Sequence, residues 1–491
     1  MELYPLLILA VGIAVVLTLI LGFRINAFIA LITAAIVISL MAPGAWGEKI
    51  TRVAASFGSV AGAIGIVIAL AAVIGRALMD SGAAQRIVQA LLRLLGEERT
   101  PVALMGSGFV LSVPVFFDTV FYLLIPLARS LWTKTRRHYV LYITAMVAGG
   151  AVTHALVPPT PGPLFMANEL GIDLGLMILV GAMIGLPVSA VGLFVCYQLD
   201  RWLDIPMRPY AGTEEAVHAE ESARAEASPA ADPALAPAPA SSTTAAVADV
   251  PDQQLPPLWL SLAPVILPVL LISANTFAIA LGGAEVAADS AWARVQAFTA
   301  VAGDPNLALL LSAVIALLTL ALWKKRPLAR LADDVEEALM SGGLIILITA
   351  AGGAFGGMLR AAGIQDSMQY LVGDVSTISG VAVLLTAFGV ASLIKFAQGS
   401  STVAMITTSS MFAAMGFTAT SLGFHPVYLA TVIGSGAMVG DWMNNSGFWI
   451  FSKMSVLTTE ETLKSWTVLL TALGFTGLIV TLLAAMLLPL V

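Results

Sequence analysis

Residues 153–163 read THALVPPTPGP and lie inside a long apolar part of the chain. Four of the last six residues are proline, which lacks a backbone donor and cannot continue a helix. We therefore expect an extended break between two helical pieces. In an apolar setting such a break is tolerated only where protein or a water-filled cavity surrounds the backbone.

The composition identifies that setting as a lipid bilayer. Of the 491 residues, 59% are hydrophobic and 11% are charged, whereas a soluble domain must keep more polar surface to face water. Several apolar runs are close to or above the ~20 residues that a spanning helix needs: 5–22, 26–41, 58–79, 173–199, 258–281, 306–323 and 466–490. We expect an all-α polytopic protein of the bacterial cytoplasmic (inner) membrane. The first run is not interpreted as a removable signal peptide, because no basic region precedes it.

Residues 211–257 are predicted to be a disordered linker between two membrane halves, 1–210 and 258–491. The linker is rich in Ala and Pro, has no aromatic residue and cannot bury a core. Its eight acidic residues and one arginine account for the whole net charge of −7. Nothing basic enough to bind nucleic acid remains.

Other function classes lack the residues they require. The single cysteine, Cys196, excludes an intrachain disulfide framework and a thiolate metal cluster, and the four histidines have no zinc-type spacing. The sequence has no grouping of a nucleophile with a base that would predict an enzyme. We expect no metal and no cofactor.

The two halves carry an internal repeat at a constant offset of 281 residues. This offset sets Gly108 against Gly389, and it sets the THALVPPTPGP break against a second polar segment around Ser435 and Asp441. Glycine matches alone are weak in membrane sequences, but interrupted segments in matched order are stronger support for a repeat.

Charge predicts that the repeat is inverted. The connection 129–137 contains four basic residues and is assigned to the cytoplasm, whereas its counterpart 410–418 has no charge. The basic cluster 324–330 marks a second cytoplasmic loop. Two predicted spans, 258–281 and 306–323, separate it from the linker, so the linker is also cytoplasmic. The connection 282–305 then faces outward.

Three more apolar segments are interrupted by helix-breaking or polar residues. The segment 106–119 contains Pro114 and Asp118, 395–402 reads KFAQGSST, and 434–449 contains Asp441, Asn444 and Asn445. In transporters with inverted repeats, substrate binds near the midplane, where interrupted helices meet. Helix starts after a glycine can present N–H groups to an anion.

Each polar residue also has a purely structural interpretation. Ser and Thr in membrane helices often satisfy their own backbone, which we prefer for Ser409 and Ser410. For Lys395 we weigh a role in the site against a side chain that reaches the interface, and slightly prefer the latter. Asp118 and Asp441 are functional candidates by default, because an intramembrane carboxylate is costly.

These segments together resemble the gluconate:proton symporter (gluconate permease) family, within the ion transporter superfamily. The resemblance covers most of both halves. Its most specific pieces are VPVFFDTVFYLLIP at 113–126, HALVPPTPGP at 154–163, GSSTVA at 399–404, NSGFW at 445–449 and ETLKSWT at 461–467. The resemblance implies paired hairpins, a moving transport domain of the elevator type and a homodimer.

The resemblance also implies proton-coupled symport of gluconate or a related small hydroxycarboxylate. We expect Asp118 or Asp441 to carry the proton. The predicted substrate-binding residues are His154, Thr160, Gly399, Ser400, Ser401, Thr402, Asn444 and Asn445. In the sugar-acid branch a Glu is often found at the position of Asp118 and a His at that of Thr160. A small zwitterion such as D-serine therefore stays open as the substrate. Na⁺ coupling stays open because the Gly–Ser–Thr and Asn–Asn breaks offer carbonyl and hydroxyl oxygens, and a passive channel stays open as a further alternative.

Overall fold

The computed structural model describes residues 4–210, 255–282, 290–364 and 379–490, in which helices are joined by short turns. The helices of the N-terminal half are α1 (Tyr4–Leu17), α2 (Ala27–Met41), α3 (Thr51–Ser81), α4 (Ala83–Leu95), α5 (Thr100–Leu111), α6 (Phe117–Thr135), α7 (Tyr139–Leu156), α8 (Pro161–Glu169) and α9 (Leu174–Leu203). Residues 211–254, most of the predicted linker, lie outside the described residues, as do residues 283–289 of the predicted outward connection.

The C-terminal half has a corresponding series. Its helices are α10 (Leu258–Gly282), α11 (Ala291–Ala302), α12 (Pro305–Lys324), α13 (Leu328–Ala361), α14 (Gly380–Gln398), α15 (Ser401–Ala414), α16 (Ala419–Leu422), α17 (Val427–Gly436), α18 (Ser446–Met454), α19 (Thr459–Thr462) and α20 (Val468–Leu487). A π-helical turn, Leu463–Thr467, joins α19 to α20.

The prediction of an all-helical membrane protein is confirmed. Within the described ranges, eight helical stretches are long and apolar enough to cross a membrane. Three of them, Tyr139–Glu169, Ala329–Ala361 and Gly380–Gln398, were not among the long apolar runs in the sequence. Polar residues shorten the apolar runs of all three, and the first also contains the predicted break between α7 and α8.

The four predicted interruptions are present as gaps between helices. They separate α5 from α6, α7 from α8, α14 from α15, and α17 from α18. Proline explains the first two, whereas Gly399 with a φ of 91° ends α14. The shortest pieces, α8 and α18, have nine residues each. At about 1.5 Å per residue they cannot cross a hydrocarbon core of about 30 Å alone.

The helices of the two halves follow one order at the repeat offset. A long helix (α3 or α13) precedes two interrupted pairs, and a long helix (α9 or α20) closes each half. The contacts repeat as well, since α2 packs on α13 and its counterpart α12 packs on α3.

The repeat-related helices α3 and α13 lie side by side and run antiparallel. Gly342 of α13 faces Ala72 of α3, whereas Gly357, fifteen positions later, faces Ser56, near the start of α3. Because equivalent helices run in opposite directions, this contact is what an inverted repeat requires.

Glycines at equivalent positions have different surroundings. A Cβ on Gly108 would overlap the carbonyl oxygen of Met146 and lie 3.1 Å from the backbone nitrogen of Gly150, so α5 and α7 need a glycine there to approach closely. A Cβ on Gly389 would meet open space.

We predict that the connections 129–137 and 410–418 lie on opposite faces of the membrane. In a Cys196→Ala background, Thr418→Cys should react with a membrane-impermeant maleimide in intact cells, and Thr135→Cys only after the cells are opened. Both positions are exposed. The Cys196→Ala protein is the unlabelled control, because Cys196 is the single cysteine of the chain. Labelling of both positions from one side would refute the inverted arrangement.

Candidate functional site

A cavity of about 570 Å³ lies where the four helix breaks meet. Its wall includes residues from every break, from α7 and α13, and from the segment that leads into α20. Nine of the ten predicted site residues line it: Asp118, His154, Gly399, Ser400, Ser401, Thr402, Asp441, Asn444 and Asn445. The structure therefore brings together residues that are far apart in the sequence.

Four helices begin at this wall: α6 at Phe117, α8 at Pro161, α15 at Ser401 and α18 at Ser446. The first amide groups of a helix have no acceptor within the helix, and the aligned peptide dipoles leave a partial positive charge there. Four such ends around one polar cavity favour an anion as its occupant.

The start of α15 keeps two amide donors without an acceptor. Gly399 has a left-handed backbone that turns the chain, and the Ser400 hydroxyl accepts the amide of Val403 at 3.3 Å. In the part of the chain that the structure describes, the amides of Ser401 and Thr402 have no acceptor. These amides are free to bind a ligand carboxylate.

The start of α18 is held by its own side chains. The Asn445 Oδ1 accepts the amide of Gly447 at 3.0 Å, and its Nδ2 donates to Asp441 Oδ2 at 2.6 Å. The Nδ2 of Asn444 donates to the Phe396 carbonyl at 2.9 Å. Each of these two amide nitrogens makes one hydrogen bond in the described structure and has a second hydrogen that can still donate, and the Asn444 Oδ1 remains as an acceptor.

The two carboxylates in the wall have different surroundings. Asp118, in the first turn of α6, is half-buried, and its side chain has no hydrogen bond or ion pair with any described residue. Asp441 is 2% exposed and lies 2.6 Å from the ammonium of Lys395, which is completely buried. Asp441 has a compensating cation, whereas Asp118 has none among the described residues.

Lys395 is the main site feature that sequence reasoning missed. The sequence interpretation placed it at the interface, but the structure buries it in the last turn of α14. One available signal was that a lysine and an aspartate in apolar segments tend to pair with each other. A second signal was position, because Asp441 lies in one break of the C-terminal half and Lys395 comes just before the other.

His154 and Thr160 lie on either side of the break between α7 and α8. His154 lines the cavity, and its Nδ1 is buried without a hydrogen-bond partner in the described residues. Thr160 is buried behind the wall, and its hydroxyl donates to the Val157 carbonyl at 2.7 Å. Of the ten predicted residues, Thr160 is the one outside the cavity wall.

Sequence reasoning also missed five wall residues outside the four interrupted segments, of which the first is Ala151 of α7. Ser341 and Ile345 come from α13, and Trp466 and Leu470 come from the π-helical turn and α20. The Trp466 ring packs on Phe117, with centroids 5.6 Å apart. The motif ETLKSWT contains this tryptophan, but its spacing alone does not indicate that it reaches the site.

Comparison with known protein families assigns the chain to a family. The model of the GntP family permeases matches residues 4–487. The chain belongs to the GntP family. The family resemblance seen in the sequence is confirmed, and with it the assignment as a multi-pass transporter rather than an enzyme.

Relatives of this GntP family permease are similar along almost the whole chain. It is 31% identical to a gluconate permease of Pseudomonas aeruginosa, over 98% of this chain and 97% of that protein. It is 30% identical to the inner membrane permease YgbN of Escherichia coli, over 96% of both. The Gnt-II system L-idonate transporter of Escherichia coli is 28% identical, over 97% and 98%.

A solved structure has a similar fold. The YdaH transporter of Alcanivorax borkumensis, whose crystal structure was described as having an unusual topology, matches with a TM-score of 0.60. The match covers 96% of this permease and 99% of the YdaH chain, at 14% sequence identity. At this identity the likeness concerns the fold alone.

We predict that Gly399→Ala damages the site of this permease more than Gly423→Ala does. Both glycines have left-handed backbones, in which a Cβ costs about 1–2 kcal/mol. A Cβ on Gly399 would also overlap the Asn444 carbonyl, whereas one on Gly423 meets open space. Gly399→Ala should raise the KM by about tenfold or more and lower the unfolding temperature further than its control. Equal effects of the two substitutions would contradict the close contact between the breaks.

Proposed function

We propose that this permease is a proton-coupled symporter that brings gluconate or a related small hydroxycarboxylate into the cell across the bacterial inner membrane. The observation that carries the proposal is the convergence of four helix N-termini on one cavity. Their partial positive charges favour an anion in a region where lipid surrounds the protein. The names of the gluconate and L-idonate relatives agree with a sugar acid as the anion.

The start of α15 is the proposed carboxylate site. The amides of Ser401 and Thr402, which have no acceptor in the described structure, would bind the substrate carboxylate together with the hydroxyls of Ser400 and Thr402. The Asn444 Oδ1 and His154 would contact the substrate hydroxyls on other parts of the wall. Thr160 would support the wall from behind.

Asp118 is the proposed proton carrier. A carboxylate among apolar groups is accommodated by a cation, by hydrogen bonds or by a proton. Asp441 has the first two, from Lys395 and Asn445. Asp118 has neither among the described residues, which makes it the stronger candidate to be neutralised by a proton. Asp441 is the second candidate of the sequence prediction.

Alternating access and a homodimer complete the proposal. The equivalent halves of an inverted repeat can exchange their arrangements and expose one site to either side in turn. An elevator-type movement and a dimer follow from the family resemblance and stay predictions for this chain.

We predict that an inward proton gradient drives accumulation of an aldonate. Purified protein in liposomes should accumulate labelled gluconate or L-idonate when the outside is acidic, because protons then flow inward with the substrate. A matched Na⁺ gradient without a pH gradient should leave uptake at the equilibrated level. Accumulation with a Na⁺ gradient alone would identify Na⁺, not the proton, as the coupling ion. Accumulation of D-serine but not of aldonates would identify a small zwitterion as the substrate. Flux that never exceeds equilibrium would indicate a channel.

We predict that Asp118→Asn abolishes accumulation while sparing exchange. The amide cannot carry a proton, but it keeps the size of the side chain, so labelled substrate should still exchange with unlabelled substrate. Glu460→Gln is the matched control, because Glu460 is an exposed carboxylate paired with Lys464 at the surface. Uphill uptake by Asp118→Asn at the wild-type level would remove Asp118 from the coupling mechanism.

A further inference from the structure

Lys395 is a completely buried lysine in a membrane protein, and the proposed mechanism does not use it. An ammonium removed from water is costly unless it is paired and hydrogen-bonded. Its position in the last turn of α14 is favourable, because a cation there meets the negative end of the helix dipole. A favourable helix end does not explain complete burial, so the contacts of the ammonium decide its role.

The ammonium connects the two breaks of the C-terminal half. Its Nζ lies 2.6 Å from Asp441 Oδ2 and donates to the Gly399 carbonyl. The same Oδ2 accepts the Nδ2 of Asn445 at 2.6 Å. One cation thus contacts the turn before α15 and, through Asp441, the residue that caps α18. Lys395 itself is not part of the cavity wall, but Gly399, Asp441 and Asn445 are.

Neutral contacts close the same junction. Trp442 Nε1 and Asn444 Nδ2 both donate to the Phe396 carbonyl at 2.9 Å. The Phe396 and Trp442 rings stack with centroids 5.6 Å apart. The carbonyl of residue 396 therefore has two donors, and the junction is hydrogen-bonded without any help from the ion pair.

The N-terminal half builds the equivalent junction without charge. The repeat offset places Pro114 at the position of Lys395 and Thr160 at the position of Asp441. Residues 113–116 and 159–161 meet around a small gap, and the Thr160 hydroxyl bonds within its own break. Packing two breaks together in this fold therefore does not require an ion pair.

We propose that Lys395 is a positioning residue for the substrate site. Through Asp441 and the Gly399 carbonyl it sets the start of α15 relative to the start of α18, and so fixes the spacing between the carboxylate-binding amides and the Asn444–Asn445 side of the wall. Asp441 then serves as the anchor of this pair and Asp118 as the titrating acid. This inference rests on the proposed function of the site.

The test is a double-mutant cycle with Lys395→Met, Asp441→Asn and the double variant, measured in liposomes with the aldonate that wild-type protein transports best. If Lys395 acts through Asp441, each single variant should raise the KM by about tenfold or more. The double variant should be no worse than the more severe single variant. Removal of both charges leaves no uncompensated ion in the core, so the double variant should fold even where a single one does not.

Two further readouts separate positioning from general stability. Proton-driven accumulation should persist in the double variant, because Asp118, the proposed proton carrier, is unchanged. Lys395→Arg, which keeps the charge, should recover part of the affinity that Lys395→Met loses. Lys464→Met is the matched control, since it removes a lysine from an exposed pair with Glu460 and should leave the KM unchanged.

Three outcomes would overturn the inference. A KM within about twofold of wild type for every variant would leave Lys395 without a positioning role. Additive losses in the double variant would show that the two residues act independently of each other. Loss of proton-driven accumulation in both Asp441→Asn and the double variant, with exchange retained, would make Asp441 the proton carrier. Failure of wild-type protein to transport gluconate, L-idonate or any other aldonate would instead refute the proposed function, and this result is seen before any variant is made.

Discussion

The peptide dipole in a medium of low dielectric is the interaction on which this structure depends. Lipid cannot hydrogen-bond to backbone, so a helix that stops within the membrane must turn its free amides toward protein, water or a ligand. Four helices start at one cavity, and their amides create a partial positive charge that the apolar surroundings screen weakly. The breaks are therefore not defects in spanning helices but the source of the binding chemistry.

Much of the fold could be predicted from local sequence because its determinants are local. Apolar runs identify membrane helices, and Pro114, the prolines of 158–163 and Gly399 end helices for reasons that involve only their own backbone. The spans around α7, α13 and α14 were harder to recognise, because polar residues that face protein or the cavity lower the apparent hydrophobicity of each window.

The site residues that are polar within apolar segments could be predicted from the sequence. Those whose position depends on how the helices pack could not. Asp118 and the 399–402 turn are conspicuous in apolar segments, and they line the cavity. The pairing of Lys395 with Asp441 depends on how two breaks pack, which no local pattern encodes. Thr160 has a polar side chain in a break, yet its hydroxyl finds a backbone acceptor three residues away and turns from the wall. Trp466 reaches the wall because a π-helical turn sets its direction.

The two halves share an order of helices but divide the chemistry unequally. The N-terminal half supplies the unpaired Asp118, and the C-terminal half supplies the ion-paired junction and the start of α15 with its two amides that lack acceptors. The same inequality applies to Gly108 and Gly389, one pressed against a neighbouring backbone and the other facing open space. An identity between the halves therefore does not imply that the two residues have equal roles. A substitution that one half accommodates can disrupt the packing of the other.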